Sequence, residues 1–388
     1  MISIEKALEI IQEQSVETKT EIRTLEDCLG YSLSKDITAP FDMPSFDNSA
    51  MDGYALGGIY KEYKIVGEVA AGDKSEKKLQ EGEAVRIFTG AKIPDNTTAV
   101  MMQEKTTVTA DKLFLEHLPK EGQSIRKKGG ELRKGALVFE KGYTITPAGI
   151  GMLGSLGISK VSVFKKPVIN LITTGNELVP PGKSKEEGQI YESNSFALAS
   201  ACEKYRFFCA DNKQIPDDFE AIKSGIKASL KTADLLLLSG GISVGDYDFV
   251  KQALEENGVE ELFYKVFQKP GKPLYFGKKA DKFVFALPGN PASSLSCFYI
   301  YVLPFLYKLS GSEKKGLPRY SFQISHDFEN RSDRPSFMKA KVEQNEVKIL
   351  DAQGSSMIRS MATGNALAFL DAETPVKKGD LIECFLIS

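Results

Sequence analysis

The feature that most constrains the fold is the run Ala-Asp-Leu-Leu-Leu-Leu at residues 233–238. A strand exposed on one face alternates apolar and polar residues, whereas a continuous apolar run is typical of a strand buried in a parallel sheet. Helices and strands alternate around it. The predicted elements are strands at Val168–Thr173 and Arg206–Ala210, and helices at Ser193–Lys204 and from Asp217/Asp218 to Leu230. This alternation predicts a doubly wound α/β domain.

Length and composition place the chain among globular proteins with several domains. It has 388 residues, of which 42% are hydrophobic, and single cores stop growing near ~250–300 residues. The net charge of −2, from 50 basic and 52 acidic residues, argues against nucleic acid as the main partner. No apolar run reaches the ~18–20 residues of a membrane span, and the N-terminus lacks the apolar core of a signal peptide. We therefore expect a cytoplasmic protein.

Cysteine and histidine usage limits the metal chemistry. The five cysteines are scattered and form no C-x-x-C pair, which indicates reduced thiols in a cytoplasmic protein. The two histidines, His117 and His326, are far apart in sequence. A zinc site of His and Cys ligands is thus disfavoured, and a bound metal is expected to be a hard cation with oxygen ligands.

The stretch Pro44–Ala55 is unusually rich in polar groups. It holds the carboxylates Asp47 and Asp52, an amide and two hydroxyls, and Gly53 frees the backbone after the second carboxylate. The stretch has neither strand alternation nor helical spacing, so it is expected to be a loop. It either holds a ligand or forms an Asx-turn that joins two elements, and the turn would explain only Asp47 and its neighbour.

The remaining segments are predicted mainly from local periodicity. Residues 3–14 carry apolar positions at helical spacing, with Ser3 as the N-cap. Short β-like runs between turn residues predict a small β domain over about 42–140. Similar runs beyond Leu317 predict a small all-β C-terminal domain.

Polar loops follow the predicted strands of the α/β domain, where ligands usually bind. Glu177, Asp217 and Asp248 supply three carboxylates that suit a Mg²⁺-like cation. Lys269 and Lys272 flank Pro-Gly and suit a phosphate or another oxyanion. Taken singly, Asp217 is also a reasonable helix cap and the lysine pair a plain turn. The glycines after residue 239 do not fit the dinucleotide fingerprint.

Six strings spread along the chain resemble the molybdopterin molybdotransferase family, which includes bacterial MoeA and the C-terminal domain of gephyrin. The strings are PSFDNSAMDGYA (44–55), RIFTGA (86–91), TTGNEL (173–178), SGGISVGDYDF (239–249), KPGKPLYFG (269–277) and LPGNPASS (287–294). The resemblance covers essentially the whole chain in order. It implies a multidomain α/β plus β fold in an elongated homodimer. The implied domains are a discontinuous helical and linker domain (1–41 and 142–165), an inserted β domain (42–141), a doubly wound, MogA-like α/β domain (166–312) and a C-terminal β-barrel (318–388).

The resemblance also implies an activity. Enzymes of this family insert molybdate into the dithiolene of adenylylated molybdopterin with the help of a divalent cation, here expected to be Mg²⁺. The products are molybdenum cofactor and AMP. The family's active site lies in a cleft between the α/β domain of one subunit and the motif-bearing domain of the other. The expected partners are the two substrates, a second copy of the chain and the molybdopterin adenylyltransferase, with no nucleic acid or membrane.

The family's functional positions carry over residue by residue. The implied catalytic residues are Asp52, Thr89, Glu177, Asp217 and Asp248, with Asp217 and Asp248 as metal ligands. The implied substrate-binding residues are Ser243, Lys269, Lys272, Pro273, Pro288, Pro291, Arg334 and Ser355. Two positions depart from the family's pattern: Glu131 stands where an aspartate is usual, and Ser336 replaces a glutamate near Arg334.

Two other classes of function are alternatives to this activity. A non-catalytic scaffold is one, because gephyrin relatives of this fold also bind partner proteins. The full set of acidic and basic loop residues favours catalysis, since a scaffold does not need them. A nucleotide-dependent enzyme of another reaction class is disfavoured because the dinucleotide and Walker fingerprints are absent from the sequence.

Overall fold

The computed structural model describes residues 1–73, 77–242 and 249–387, which form two compact units. The first unit combines residues 1–34, 142–147 and 160–388, and the second combines residues 35–141 and 148–159.

A six-stranded sheet organises the first unit. Its strands, numbered in chain order, are β1 (Ile169–Thr174), β2 (Cys209–Ile215), β3 (Leu235–Ser239), β4 (Glu260–Tyr264), β5 (Tyr275–Lys279) and β6 (Lys282–Leu287). The spatial order is β2-β1-β3-β6-β5-β4, in which the first four strands are parallel and β5 is antiparallel to both of its neighbours, β6 and β4. The helices that accompany the sheet are Asn194–Lys204, Phe219–Thr232, Phe249–Glu256 and Pro291–Leu309. The predicted doubly wound α/β domain is confirmed.

Both faces of this sheet are covered, which explains the run of four leucines in β3. Leu235 and Leu237 pack into one core cluster, which also contains the N-terminal helix Ile4–Glu13 through its apolar face. Leu236 and Leu238 pack into the cluster on the opposite face, with the helix Phe219–Thr232. All four side chains are fully buried, so none of these positions tolerates a polar residue without loss of apolar burial.

The helix Pro291–Leu309 contains a π-helical segment, Phe298–Val302, between two α-helical ones. With a mean hydropathy of 1.2 it is long and apolar enough to cross a membrane by length and composition, yet 89% of it is buried inside the protein. That burial is typical of the core helix of a globular domain.

Three local predictions for this domain are wrong or incomplete. Arg206 is not in a strand, because its backbone is left-handed (φ 65°) and β2 starts only at Cys209. Strand β5 was not anticipated, since it follows the Lys-Pro-Gly-Lys turn within three residues. Of the two aspartates, only Asp218 caps the helix, by accepting a 2.8 Å hydrogen bond from the Ala221 N–H.

The remainder of the first unit is a short N-terminal region and the C-terminal barrel. Ser3 caps the helix Ile4–Glu13 as predicted, because its hydroxyl accepts a hydrogen bond from the Lys6 N–H. The first unit also holds two small ladders, an antiparallel pair of Thr20–Thr24 with Lys160–Phe164 and a parallel pair of Leu178–Val179 with Ile190–Tyr191.

The C-terminal region forms a closed five-stranded barrel, which confirms the predicted β-barrel. In spatial order its strands are Arg319–Ile324, Glu346–Ile349, Ser336–Glu343, Ala366–Leu370 and Leu381–Leu386. A two-stranded ladder and a short helix accompany the barrel, at Phe328–Asn330 with Thr374–Val376 and at Ile358–Thr363. Alternate side chains such as Met338, Ala340 and Val347 fill the barrel interior.

The second unit is built on a six-stranded mixed sheet. In spatial order its strands are Ala99–Met102, Gly53–Leu56, Glu83–Ile87, Glu62–Val69, Lys112–Leu115 and Thr106–Thr109. Two-stranded ladders join Asn48–Ser49 to Ile125–Arg126 and Ile37–Thr38 to Leu137–Phe139. A 3₁₀ turn, Gln103–Lys105, follows one strand, and the helix Pro147–Ser155 begins at the last residue of the 142–147 segment.

The prediction that Pro44–Ala55 is entirely a loop is wrong at two places, because Asn48–Ser49 forms a short ladder strand and Gly53 begins a strand of the six-stranded sheet. Glycine is required there for close strand approach rather than for a left-handed backbone. A Cβ atom at position 53 would lie 1.9 Å from the carbonyl oxygen of Met101 in the neighbouring strand.

Candidate active site

A cavity of about 470 Å³ opens at the carboxyl ends of the parallel strands. The chain segments that follow β1, β2, β3 and β6 all reach it, as expected for ligand sites in open α/β sheets. Its volume falls within the range of small-molecule pockets, ~300–1,000 Å³. Five of the residues implied by the sequence line it: Glu177, Asp217, Pro273, Pro288 and Pro291.

Asp217 is held in place by a reciprocal pair of hydrogen bonds with Asn176. The Asn176 N–H donates to Asp217 Oδ2 at 3.2 Å, and the Asp217 N–H donates to Asn176 Oδ1 at 3.1 Å. This exchange ties the loop after β1 to the loop after β2. It therefore fixes the Asp217 carboxylate at the cavity wall, which is also lined by the exposed carboxylate of Glu177, the residue after Asn176.

The glycines after β3 allow a second set of polar atoms to line the cavity. A Cβ atom at Gly240 would lie 2.4 Å from the carbonyl oxygen of Thr174 and 3.0 Å from its hydroxyl oxygen. A Cβ atom at Gly241 would lie 2.9 Å from the same hydroxyl oxygen. The Thr174 hydroxyl is buried and has no hydrogen-bond partner among the described residues. A buried hydroxyl without a partner is costly, so it marks a point where a ligand can bind.

Asn194 presents a buried amide oxygen at the same cavity. Its Nδ2 donates to Ser239 Oγ at 2.9 Å and to the Gly289 carbonyl at 2.7 Å. This fixes the amide and leaves Oδ1 unpartnered within the described part of the chain. Thr174 and Asn194 were not identified from the sequence, because nothing in local periodicity shows that residues 20 positions apart converge.

The neighbouring carboxylate of Glu192 has a structural role. It is 4% exposed, and it accepts hydrogen bonds from the Ser195 N–H at 2.8 Å and the Ser195 hydroxyl at 2.6 Å. These bonds satisfy donors at the start of the helix Asn194–Lys204. Glu192 thereby fixes the helix end that carries Asn194.

The loop 352–357 of the barrel domain reaches the site through Ser356, which lines the cavity. The Ser355 carbonyl accepts from the N–H groups of Ala292 and Ser293, at 3.1 and 3.3 Å, where the long core helix begins. The Ser355 hydroxyl accepts from Asn290 Nδ2 at 3.0 Å. Ser355 therefore lies beside the loop after β6 although the two are 65 residues apart in sequence.

A buried lysine holds that loop in shape. The Lys339 ammonium donates to the carbonyls of Ala352, Gly354 and Met357 at 2.7, 3.0 and 3.0 Å. The side chain is 2% exposed, and burial lowers the pKa of this lysine from its usual value. Lys339 belongs to the barrel strand Ser336–Glu343, so the barrel positions the loop that carries Ser355.

The Lys269–Lys272 turn lies against the same strand. It contains a cis peptide bond before Pro270, and Gly271 has a left-handed backbone whose Cβ would lie 2.4 Å from Cys297 Sγ. The Lys269 N–H donates to the Pro335 carbonyl at 2.9 Å, and the Phe337 N–H donates to the Lys269 carbonyl at 2.8 Å. Both lysine side chains remain exposed, outside the lining of the 470 Å³ cavity.

Arg334 is anchored at this turn. Its Nη1 donates to the Gln268 carbonyl at 3.1 Å, and its Nε lies 3.2 Å from Asp333 Oδ1. The Ser336 hydroxyl, which replaces the family's glutamate, donates within the same loop to the Arg334 carbonyl at 3.0 Å. Arg334 is thus supported without a glutamate at position 336.

In the second unit, Asp52 and Thr89 form a compact pair. Asp52 Oδ1 accepts hydrogen bonds from the Thr89 N–H and from the Thr89 hydroxyl, both at 2.8 Å. These bonds, the backbone one first, hold the pKa of Asp52 below its usual value, and the positive charge of Arg86 adds to the effect. Asp52 is therefore an exposed, ionised carboxylate with one oxygen fixed.

Three other sequence predictions have a limited structural counterpart. The Glu131 side chain is exposed, and its N–H donates to the Met43 carbonyl at 3.0 Å. Ser243 and Asp248 lie outside the described residues. Within residues 1–73, 77–242 and 249–387, no cluster of three or more His, Cys, Asp or Glu side chains forms a ready-made metal cage.

The doubly wound sheet, the polar cavity at its strand ends and the barrel loop beside it define a ligand-binding α/β protein of several domains. Comparisons with known proteins specify the family. Three family models match in order: the MoeA N-terminal region (domains I and II) at residues 2–157, the probable molybdopterin binding domain at 170–308 and the MoeA C-terminal region (domain IV) at 323–387. The chain belongs to the MoeA family, and it is an enzyme of the transferase class.

Individual relatives match over nearly their full length. The molybdopterin molybdenumtransferase of Haemophilus influenzae is 35% identical over 385 residues, which cover 96% of this chain and 95% of the relative. That of Staphylococcus epidermidis is 29% identical, covering 99% and 95%. The crystal structure of the molybdopterin biosynthesis moeA protein from Pyrococcus horikoshii OT3 matches with a TM-score of 0.86 at 28% identity and covers 100% of both chains.

Proposed function

We propose that this protein is a molybdopterin molybdenumtransferase that converts adenylylated molybdopterin and molybdate into molybdenum cofactor and AMP. Two sulfur–molybdenum bonds form, one molybdate oxygen leaves as water with the two thiol protons, and one water enters the phosphoanhydride as AMP is released. The observation that carries the proposal is the convergence of Glu177, Asp217, Pro273, Pro288 and Pro291 on the 470 Å³ cavity. Family membership supports the reaction class.

The cavity has the donor types that a pterin nucleotide requires. The Asn194 amide oxygen can accept from the N–H groups of the pterin, and the Thr174 hydroxyl can donate or accept. Because both atoms are buried and lack protein partners in the described structure, a substrate group that bonds to them restores lost hydrogen bonds. A ligand that lacks these groups leaves both atoms unpaired, so the two residues favour a polar heterocycle over an apolar one.

The acidic residues require a cation before they can bind an anionic substrate. Asp217 and Glu177 are hard oxygen donors at the cavity wall, and Mg²⁺ typically uses one or two carboxylates together with substrate phosphates. These residues therefore fit Mg²⁺, with Asp248 as the further ligand implied by the resemblance. When bound, Mg²⁺ supplies charge neutralisation at the phosphoanhydride.

The basic groups beside the cavity suit the oxyanion. We assign Lys269, Lys272 and Arg334 to molybdate or phosphate oxygens, since ammonium and guanidinium groups donate strong hydrogen bonds to them. Arg334 and Lys269 are linked through the Gln268 and Pro335 carbonyls, so they are positioned together. Ser355 does not itself line the cavity, but its hydroxyl is bonded to Asn290, which does, and we assign it to the same oxyanion.

The sequence resemblance assigns a role in substrate binding to Asp52 and Thr89. It predicts a homodimer in which these residues orient the substrate bound by the other subunit. The fixed Asp52 carboxylate, with its lowered pKa, supplies an ionised acceptor for that purpose.

A pair of adjacent isosteric substitutions tests the proposal. Asp217→Asn retains an oxygen that can accept from the Asn176 N–H but removes the charge at the cavity wall. Asp218→Asn makes the same change at a helix cap that does not line the cavity, and asparagine caps helices well. We expect molybdenum cofactor formation to be lost in Asp217→Asn and kept in Asp218→Asn, with circular dichroism unchanged. Full turnover by Asp217→Asn would refute the role of this carboxylate.

A further inference from the structure

A second cavity in the first unit has the composition of an anion site. It has a volume of about 120 Å³ and shares no lining residue with the active-site cavity. Three cationic side chains line it, from Lys204, Arg206 and Lys314, and no acidic residue does so in the described part of the chain. The rest of the wall is formed by Gly30, Phe207 and hydroxyl-bearing side chains, which include those of Thr144 and Ser312 with their oxygens 3.0 Å apart.

The three cations have no carboxylate partner within 4.0 Å among the described residues. Lys204 donates one hydrogen bond to the Ile387 carbonyl, and Lys314 lies 5.6 Å from the centre of the Tyr307 ring. These neutral contacts hold the side chains without cancelling their charge. Among the described residues, the wall of the cavity therefore carries a net positive charge.

Arg206, which lines the cavity, has an unusual backbone conformation. Its φ of 65° is a left-handed conformation that few residues other than glycine adopt. The conformation is secured by the Lys166 ammonium, which donates to the Arg206 carbonyl. Gly30 makes room beside it, because a Cβ there would lie 3.3 Å from Arg206 Cγ. Strained backbone of this kind often occurs at ligand sites.

The pKa of Lys166 is lowered partly by two of the same cationic side chains, Arg206 and Lys314. Burial, followed by the charges of Arg206, Arg23 and Lys314, lowers the pKa of Lys166 to about 8. A bound anion would offset that repulsion and favour the charged ammonium.

We propose that this second cavity binds a tetrahedral dianion of the phosphate class, either free or as the phosphoryl group of a phosphomonoester. Arg206 supplies a planar pair of donors, Lys204 and Lys314 supply ammonium donors, and the Thr144–Ser312 hydroxyl pair can donate one further proton. The volume accommodates a few water-sized groups, which suits one oxyanion rather than a whole cofactor.

Calorimetric titration of the full chain at low ionic strength tests the proposal. Inorganic phosphate is one titrant, and glucose 6-phosphate is the other. Lys314→Met and Arg206→Met should each weaken binding about tenfold, as expected for the loss of one charge-assisted hydrogen bond. Lys315→Met is the matched control, because it removes one charge from the adjacent residue, which does not line the cavity. Lys272→Met separates this site from the active site and should leave the binding in place.

The two titrants distinguish the two forms of the ligand. If glucose 6-phosphate binds as tightly as inorganic phosphate or more tightly, the ligand is a phosphomonoester. If only inorganic phosphate binds, the ligand is the free anion. NMR titration of the Lys166 side chain should show its pKa rising when phosphate is present. The proposal is overturned by the absence of saturable binding of either titrant, by binding that Lys314→Met and Arg206→Met leave unchanged, or by a Lys166 pKa that does not respond.

Discussion

Replacement of Lys339 by methionine isolates the role of the buried ammonium that shapes the loop beside the active site. The substitution keeps an unbranched side chain of similar length but removes three hydrogen bonds, to the carbonyls of Ala352, Gly354 and Met357. Hydrogen bonds to a charged group contribute about 1.5–3 kcal/mol each to stability. Two effects reduce the net loss.

Two of the three carbonyls keep a second donor, and the third keeps a longer contact. The Ser360 hydroxyl donates to Ala352 O at 2.8 Å and lies 3.3 Å from Met357 O, and the Met357 N–H donates to Gly354 O at 3.1 Å. Methionine also avoids the cost of burying a charge, which is several kcal/mol. We therefore expect the loop to lose about 2 kcal/mol of stability against local opening.

Amide hydrogen exchange measures this loss directly. A change of about 2 kcal/mol corresponds to about 30-fold faster exchange of the Met357 amide, which is hydrogen-bonded within the loop. Lys341→Met is the control, because Lys341 is exposed on the same strand and pairs with Glu343 at the surface, where such pairs contribute little. Unchanged exchange at Met357 in Lys339→Met, or equal acceleration in Lys341→Met, would refute this account of the loop.

Two further predictions concern titrating groups. Thr89→Val removes the hydroxyl bond to Asp52 but keeps the backbone one, so the pKa of Asp52 should rise part of the way towards 3.8; NMR titration of the Asp52 carboxyl checks this, and an unchanged pKa contradicts it. Lys166 has a folded-state pKa of about 8 against 10.5 when unfolded, so the unfolded chain binds more protons between these values. The difference in unfolding free energy between the wild type and Lys166→Met, measured in urea titrations, should therefore change in favour of the wild type between about pH 8 and pH 10.5. A difference that stays constant or falls over this range would contradict the lowered pKa of Lys166.

Several features of the fold were predictable because their signals are local. The cap at Ser3, the helix that follows it and the four leucines of β3 each depend on a few neighbouring residues and on a fixed period. The convergence of the strand-end loops was also predictable, since parallel strands end at one edge of a sheet.

The features that were missed depend on contacts between distant residues. Gly53 looked like a loop residue, but its role is set by the carbonyl of Met101 in the next strand. Lys339 follows three buried residues in its strand, and nothing in its neighbourhood shows that three carbonyls from residues 352–357 surround it. Asn194 and Thr174 become candidate ligand-binding residues only when their unpartnered atoms are seen at one cavity.

We propose that the polar cavity at the strand ends catalyses molybdate-dependent conversion of adenylylated molybdopterin. The most direct measurement is the release of AMP from adenylylated molybdopterin by the purified protein, with and without molybdate. We expect AMP release that depends on molybdate and that equals, mole for mole, the molybdenum cofactor formed. AMP release that is absent, or that proceeds equally without molybdate, would contradict it.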